Sequence, residues 1–177
     1  MALEQTLPAI LDRIDTQSHG LVLDLPDGAT IEVLSRSSSK DGGFCVLRGV
    51  LPPGGMVPLH SHDDPEDFYL LSGSHQVLIQ QAGGLQWVDA SAGDYVRIPP
   101  GTMHAHRNTS SEPAVDLVVT TPRMGRFFEE VGRAASGVPG PPSAADLQRF
   151  VATSIAYGYT LGTPEENAAV GIELTVG

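Results

Sequence analysis

The chain has 177 residues, 41% of them hydrophobic and 18% charged, with a formal net charge of -11 at pH 7. That length suits one domain with a sizeable core, and the composition excludes a disordered or membrane-spanning chain. The acidic balance argues against nucleic acid and anionic membranes as partners, because both demand a basic footprint. Residues 1–20 carry acidic groups and no uninterrupted apolar segment, so no secretory leader is expected. The lone Cys45 excludes an internal disulfide and fits a reducing, cytoplasmic location. Residues 7–16 suit a short helix, with Pro8 in the first turn and Ile10, Leu11 and Ile14 as an apolar stripe. No second helix follows, which argues against a helix-turn-helix regulator.

From Leu21 to Thr121 short apolar segments alternate with turns. Strands are expected over 21–25, 29–34, 44–51, 56–61, 66–72, 74–81, 85–89, 94–98, 103–108 and 113–121. Turn signals lie at Pro26-Asp-Gly, Asp41-Gly-Gly, Pro52-Pro-Gly-Gly, Ala82-Gly-Gly and Pro99-Pro-Gly. Many short strands at this spacing predict an all-β sandwich or barrel. Cys45 falls in the mostly apolar run Phe44–Leu51 and reads as a buried structural thiol. Lys40, the only lysine, lies in a loop, so Schiff-base chemistry is not expected.

After Thr121 the period changes from two to helical. Met124–Val131 places Phe127, Phe128 and Val131 on one face. Residues 137–142 form a Pro/Gly linker, and Ser143-Ala-Ala-Asp146 has the form of a capping box. Leu147, Phe150, Val151 and Ile155 then make an apolar stripe, and the tail from Glu165 reads as extended or short-helical. The chain thus divides into a helical lead-in over 1–20, a barrel over 21–121 and a helical extension over 122–177.

The chemistry concentrates in Gly54–Gly73, which holds His60, His62 and Glu66. Successive strand side chains point to opposite faces, so two histidines separated by one residue share a face. A carboxylate returning one short turn later can close with them on a cation, and this donor set suits Fe, Mn, Co, Ni, Cu and Zn. Asp63, Asp64 and Asp67 read as a solvated acidic loop, with Asp63 and Asp64 able to attract a cation or to compete as ligands. If Glu66 faces inward, so do Phe68 and Leu70, while Tyr69 and Leu71 face out. A strand apolar on both faces is covered on both sides, by a helix or by a second subunit. A second stretch, Gly93–Asn108, places His104 after a Pro-Pro-Gly turn, and His106 shares its parity. His75 shares the parity of Val77 and Ile79, which makes it a pocket candidate.

The first stretch resembles the first cupin motif, G-x5-H-x-H-x3-E-x6-G, on Gly54, His60, His62, Glu66 and Gly73. The second resembles the other cupin motif, G-x5-P-x-G-x2-H-x3-N, on Gly93, Pro99, Gly101, His104 and Asn108. The resemblance implies a double-stranded β-helix, or jelly roll. It also implies one divalent transition metal per chain, held by His60, His62, Glu66 and His104. The spacing of the motif selects Glu66 over Asp67 as the carboxylate ligand. Many cupins dimerise, so a homodimer is expected. The C-terminal part is similar to the helical cap of cupins related to quercetin dioxygenases. The implied activity is a metal-dependent dioxygenase taking O2 and a small flavonol- or diketone-like substrate. Glu66 would serve as a base and His106 as a proton-carrying helper, while Phe68, Leu70 and His75 would line the substrate pocket. Other readings are a metal-dependent isomerase, cyclase or lyase, and a binding module without turnover. A sugar-phosphate enzyme would need a basic pocket. Few arginines fall in the barrel, Arg36, Arg48, Arg97 and Arg107; by parity Arg107 points away from His104, while Arg48 and Arg97 could enter the pocket.

Overall fold

The computed structural model describes residues 21–36, 43–135 and 142–174. The helix expected over 7–16, the loop around Lys40 and most of the Pro/Gly linker lie outside these residues. Ten strands come first: β1 (Leu21–Asp24), β2 (Thr30–Arg36), β3 (Cys45–Leu51), β4 (Met56–Ser61), β5 (Glu66–Ser72), β6 (Ser74–Gln81), β7 (Gly84–Ser91), β8 (Tyr95–Ile98), β9 (His104–Arg107) and β10 (Ala114–Thr120). The extension supplies α1 (Pro122–Val131), β11 (Arg133–Ala134), α2 (Ala144–Ala156), β12 (Thr160–Leu161) and α3 (Pro164–Ala169).

The strands form two antiparallel sheets, in the orders β11-β1-β2-β3-β10-β5-β8 and β12-β4-β9-β6-β7. This is the expected jelly roll. Alternation decides what fills it: Leu23, Ile31, Val33, Leu47, Leu70, Val77, Ile98 and Val118 point inward and form one buried cluster. On the outer side of the smaller sheet, Leu59, Leu78 and Ala105 are covered by Ile172 of the tail. Trp87 anchors that tail by donating its indole N–H to the Val170 carbonyl at 2.9 Å.

The extension joins both sheets. β11 pairs with β1, and β12 pairs with the ligand-bearing β4, setting Leu161 opposite His60. Thr121 caps α1 by accepting from the Met124 N–H, and Pro122 opens the helix. Met124, Gly125, Phe127 and Val131 are its buried residues. A Cβ at Gly125 would lie 2.7 Å from Cys45 Sγ, so glycine lets α1 seat directly on β3. Cys45 is 1% exposed beneath it, a packed thiol as expected.

Two apolar faces stay partly open. The Ser143–Asp146 capping box forms, but the stripe that follows it in α2 is not buried in a core. Val151 and Ile155 are 44% and 68% exposed, and the helix buries Asp146 and Ser154 instead. Leu147, Phe150 and Val151 line a cavity, and Phe150 also packs against Phe127, 6.0 Å between ring centroids. On β5, Glu66, Phe68 and Leu70 face inward, but Tyr69 and Leu71 remain 46% and 48% exposed. Within the chain, the described residues leave that outer face open.

Candidate metal centre

β4 and β9 lie side by side, and their register slips by one residue between Val57 and His60. Pro58 sits in the slip, where its missing N–H removes no ladder bond. The bulge sets His60 directly opposite His104. Leu59, within the same bulge, donates its N–H to Asn167 Oδ1 at 2.9 Å and accepts from the Gly162 N–H at 2.7 Å. The C-terminal segment therefore satisfies the backbone that the bulge frees.

The three imidazoles meet where expected. The ring of His60 lies 4.2 Å from that of His104 and 5.4 Å from that of His62, between centroids. One ligand nitrogen from each falls within 4.8 Å of the others. His62 and His104 are 4% and 0% exposed. Each Nδ1 is held by a carbonyl at 2.8 Å: Pro58 for His60, Asp64 for His62 and Thr102 for His104. A carbonyl only accepts, so each Nδ1 carries a proton, and in the neutral ring the Nε2 lone pair is free for a metal. The Nε2 atoms of His62 and His104 have no hydrogen-bond partner although both are buried. Glu66 Oε2 lies 3.3 Å from each of them. Neutral imidazoles with orphaned, converging lone pairs beside a carboxylate are the donor set a first-row divalent metal requires. The sequence-predicted ligands His60, His62, Glu66 and His104 thus come together and fit that group.

Burial raises the Glu66 carboxyl, and the adjoining His104 and His62 overcome it and hold the group well below the usual carboxylate range. Burial, then His104, pushes the His60 imidazole down to about 3. His62 stays above its ordinary value despite burial, because Glu66 stabilises its charged form.

Asp64 does not belong to a solvated loop. It is 4% exposed, and its carboxylate accepts from the Thr121 hydroxyl, from Arg123 at 2.5 Å and from the Tyr159 hydroxyl at 3.0 Å. Its own carbonyl holds His62, and the Tyr159 ring packs 5.0 Å from the His62 ring. Asp64 therefore ties a metal-facing imidazole to α1 and to the C-terminal segment. Outer contacts of this kind are typically worth 10–100-fold in metal affinity. Asp64→Ala is expected to weaken metal binding by about ten-fold or more, read by competition with a chelating dye. Tyr159→Phe keeps the ring and removes one donor of three, so it should change affinity by less than about three-fold. No local pattern in the sequence links Asp64 to Tyr159; only the folded network joins them.

A cavity of about 930 Å³ opens beside this cluster. Phe68, His75 and His106 line it with His60, His62 and Glu66. Leu70 does not: it faces inward, but at 0% exposure it is packed within the core cluster. Among the described residues, no Arg or Lys lines the cavity. Arg48 lies outside near Glu32, Arg97 near Asp67, and Arg107 covers the Trp87 ring. His106 is 6% exposed, with its ring 5.0 Å from Phe68 and 5.7 Å from His104. Burial, then His75 and His104, holds it well below its ordinary value.

Asp116, which the sequence did not single out, also lines the cavity. Its Oδ2 lies 3.4 Å from His75 Nδ1. Burial pushes the Asp116 carboxyl from 3.8 up to about 7 and the His75 imidazole from 6.5 down to about 4. A group whose pKa rises on folding contributes stability below its unfolded value, and loses it as pH climbs through the folded value. For Asp116 that window is 3.8 to about 7. His75, with a lowered pKa, contributes in the opposite sense, as stability lost when pH falls from 6.5 to about 4. That contribution is common to wild type and to an Asp116 variant. Asp116→Asn is therefore expected to gain on wild type as pH rises, by up to about 4 kcal/mol between pH 4 and pH 8. Urea midpoints across that range check it.

Residues 47–120 match the family model described as the cupin domain. Among solved structures, similarity extends to a predicted oxalate decarboxylase from Thermotoga maritima, at 26% identity over 52% of this chain and 79% of that one, with a TM-score of 0.46. It extends to the polyketide cyclase RemF from Streptomyces resistomycificus, at 20% identity over 63% and 79%, with a TM-score of 0.48. The DMSP lyase DddQ from Ruegeria pomeroyi is 26% identical over 44% and 38%, with a TM-score of 0.39. No curated protein matches the chain. Among the described residues, no helix is long and apolar enough to cross a membrane. Both motifs are thus seated on one jelly roll, and residues 47–120 of it carry the match to the cupin domain.

Proposed function

We propose that this cupin is a metal-dependent dioxygenase acting on a small, largely apolar, oxygenated metabolite of the flavonol or diketone kind. The observation that carries the reading is three imidazoles, each with Nδ1 held by a carbonyl and Nε2 left for a metal, and one carboxylate at the side of a mostly apolar cavity of about 930 Å³. One divalent first-row metal per chain, held by His60, His62, Glu66 and His104, would supply Lewis acidity and, if redox-active, electron transfer to O2. Glu66 stays ionised beside His62 and His104 and is placed to accept the proton of an acidic enol or phenol. His106 stands next to His104 and orients or relays toward the same end of the cavity. Phe68 supplies a flat wall for a planar substrate. A lining without Arg or Lys among the described residues disfavours phosphorylated substrates.

The homodimer belongs to the same reading. Tyr69 and Tyr95 pair across β5 and β8 and stay exposed together with Leu71, a face that a second copy would cover.

Oxygen uptake tests the activity. Metal-reconstituted protein is expected to consume O2 with quercetin or acetylacetone, and His104→Ala is not. Substrate consumed equally without O2 would replace the dioxygenase by an isomerase or lyase. No turnover of either panel by fully loaded protein would leave a binding cupin.

A further inference from the structure

His75 and Asp116 reach the cavity from opposite sheets, His75 on β6 and Asp116 on β10. Beside Asp116 the β10–β5 register slips by one residue, the kind of irregularity that re-aims a side chain. His75 is 3% exposed and Asp116 5%. Both His75 ring nitrogens and Asp116 Oδ1 lack any hydrogen-bond partner, and both residues line the cavity. Leu47, Phe68 and Val118 also line the cavity and offer no hydrogen bond. Buried polar groups in a folded chain are normally satisfied, and leaving one unmade costs about 1–3 kcal/mol. Their partner is therefore whatever occupies the cavity.

The pair is separated from the metal ligands by one ring. His106 lies 5.4 Å from His75 and 5.7 Å from His104. The two groups stand 3.4 Å apart, and burial pushes the carboxyl up and the imidazole down, which favours the neutral form of each. In their neutral forms the carboxyl donates and the imidazole accepts. A hydroxyl, which also does both, complements them, while a carboxylate or phosphate does not.

We propose that His75 and Asp116 form a second polar subsite inside the barrel, which takes a neutral hydroxyl of the bound molecule. Combined with the metal reading above, on which this part rests, the substrate is an apolar body oxygenated at two separated positions. One oxygen function sits at the His60–His62–His104 end, and a hydroxyl sits at His75 and Asp116.

Phenol and toluene differ by a hydroxyl for a methyl, and they test the subsite without relying on the metal. Each is titrated into the full chain, metal-free and zinc-loaded, and followed by 15N resonances of the histidine rings, with His75 assigned from His75→Leu. Phenol is expected to shift both His75 nitrogens and to bind at least about five-fold more tightly than toluene. That preference should fall within two-fold in His75→Leu and Asp116→Leu, and survive in part in His75→Gln and Asp116→Asn, which keep hydrogen-bonding capacity and guard against misfolding. Equal binding of the two probes, unmoved His75 resonances, or a preference that persists in the leucine variants would overturn the subsite. A chain that binds no metal yet prefers phenol would sink the metalloenzyme reading and keep the subsite. A chain that binds metal and treats the probes alike would do the reverse.

Discussion

His104→Ala is expected to bind metal about 10³-fold more weakly than wild type, a larger loss than the 10–100-fold typical of an outer contact. His104 is 0% exposed, its Nδ1 is held by the Thr102 carbonyl, and its Nε2 has no partner but Glu66 Oε2 at 3.3 Å. Alanine removes one of three converging imidazoles and leaves Glu66 facing His62 alone. Wild type should carry about one metal per chain by mass spectrometry after desalting, and the variant close to none. The same difference should appear as stability. Metal at 1,000 times its Kd stabilises a folded protein by about 4 kcal/mol. Adding metal should therefore raise the melting temperature of wild type and leave that of His104→Ala in place. Wild type that takes up no metal after reconstitution, or a variant that retains it, would remove the metal centre from this protein.

Gly73→Ala is expected to cost at least about 3 kcal/mol, the largest effect on folding of any single methyl group here. Gly73 joins β5 to β6 with φ +73, which L side chains rarely adopt. An added Cβ would also stand 2.3 Å from the Pro113 carbonyl oxygen and 2.9 Å from Ala114 Cα, both main-chain atoms that cannot rotate away. Gly101 separates the two causes. It has φ +72 and nothing within 4 Å of an added Cβ, so Gly101→Ala should cost only the backbone term, about 1–2 kcal/mol. Urea unfolding of both variants measures the difference, and equal losses would show that the Pro113 contact is relieved by movement of the chain.

The strands were legible because they are punctuated. Pro52-Pro-Gly-Gly, Ala82-Gly-Gly and Pro99-Pro-Gly stop the chain where the structure turns, and β4, β5 and β6 begin and end at the expected residues. The metal-facing histidines were legible because period two sends His60 and His62 to one face. Asn108, part of the same motif, is spent on architecture: its amide donates to the Leu51 and Glu112 carbonyls, and its oxygen accepts from Ser110. Periodicity marked the apolar stripe of α2, of which Phe150 packs against Phe127 while Val151 and Ile155 stay exposed. A stripe states which residues share a face and is silent on whether the space they face is filled, and here Leu147, Phe150 and Val151 line a cavity.

What the sequence determined by itself is local: short strands, turns, caps, and the face each strand residue takes. Those follow from backbone sterics and from side-chain parity over a few residues. The tertiary structure alone decided that Asp64 meets Tyr159 across 95 positions of chain, that Asn167 satisfies the bulged Leu59, and that His75 meets Asp116 inside the barrel. Each of these joins residues far apart in the chain through a single polar contact. Such a contact leaves no periodic trace in either segment, so it exists only once the two sheets and the C-terminal segment have closed on one another.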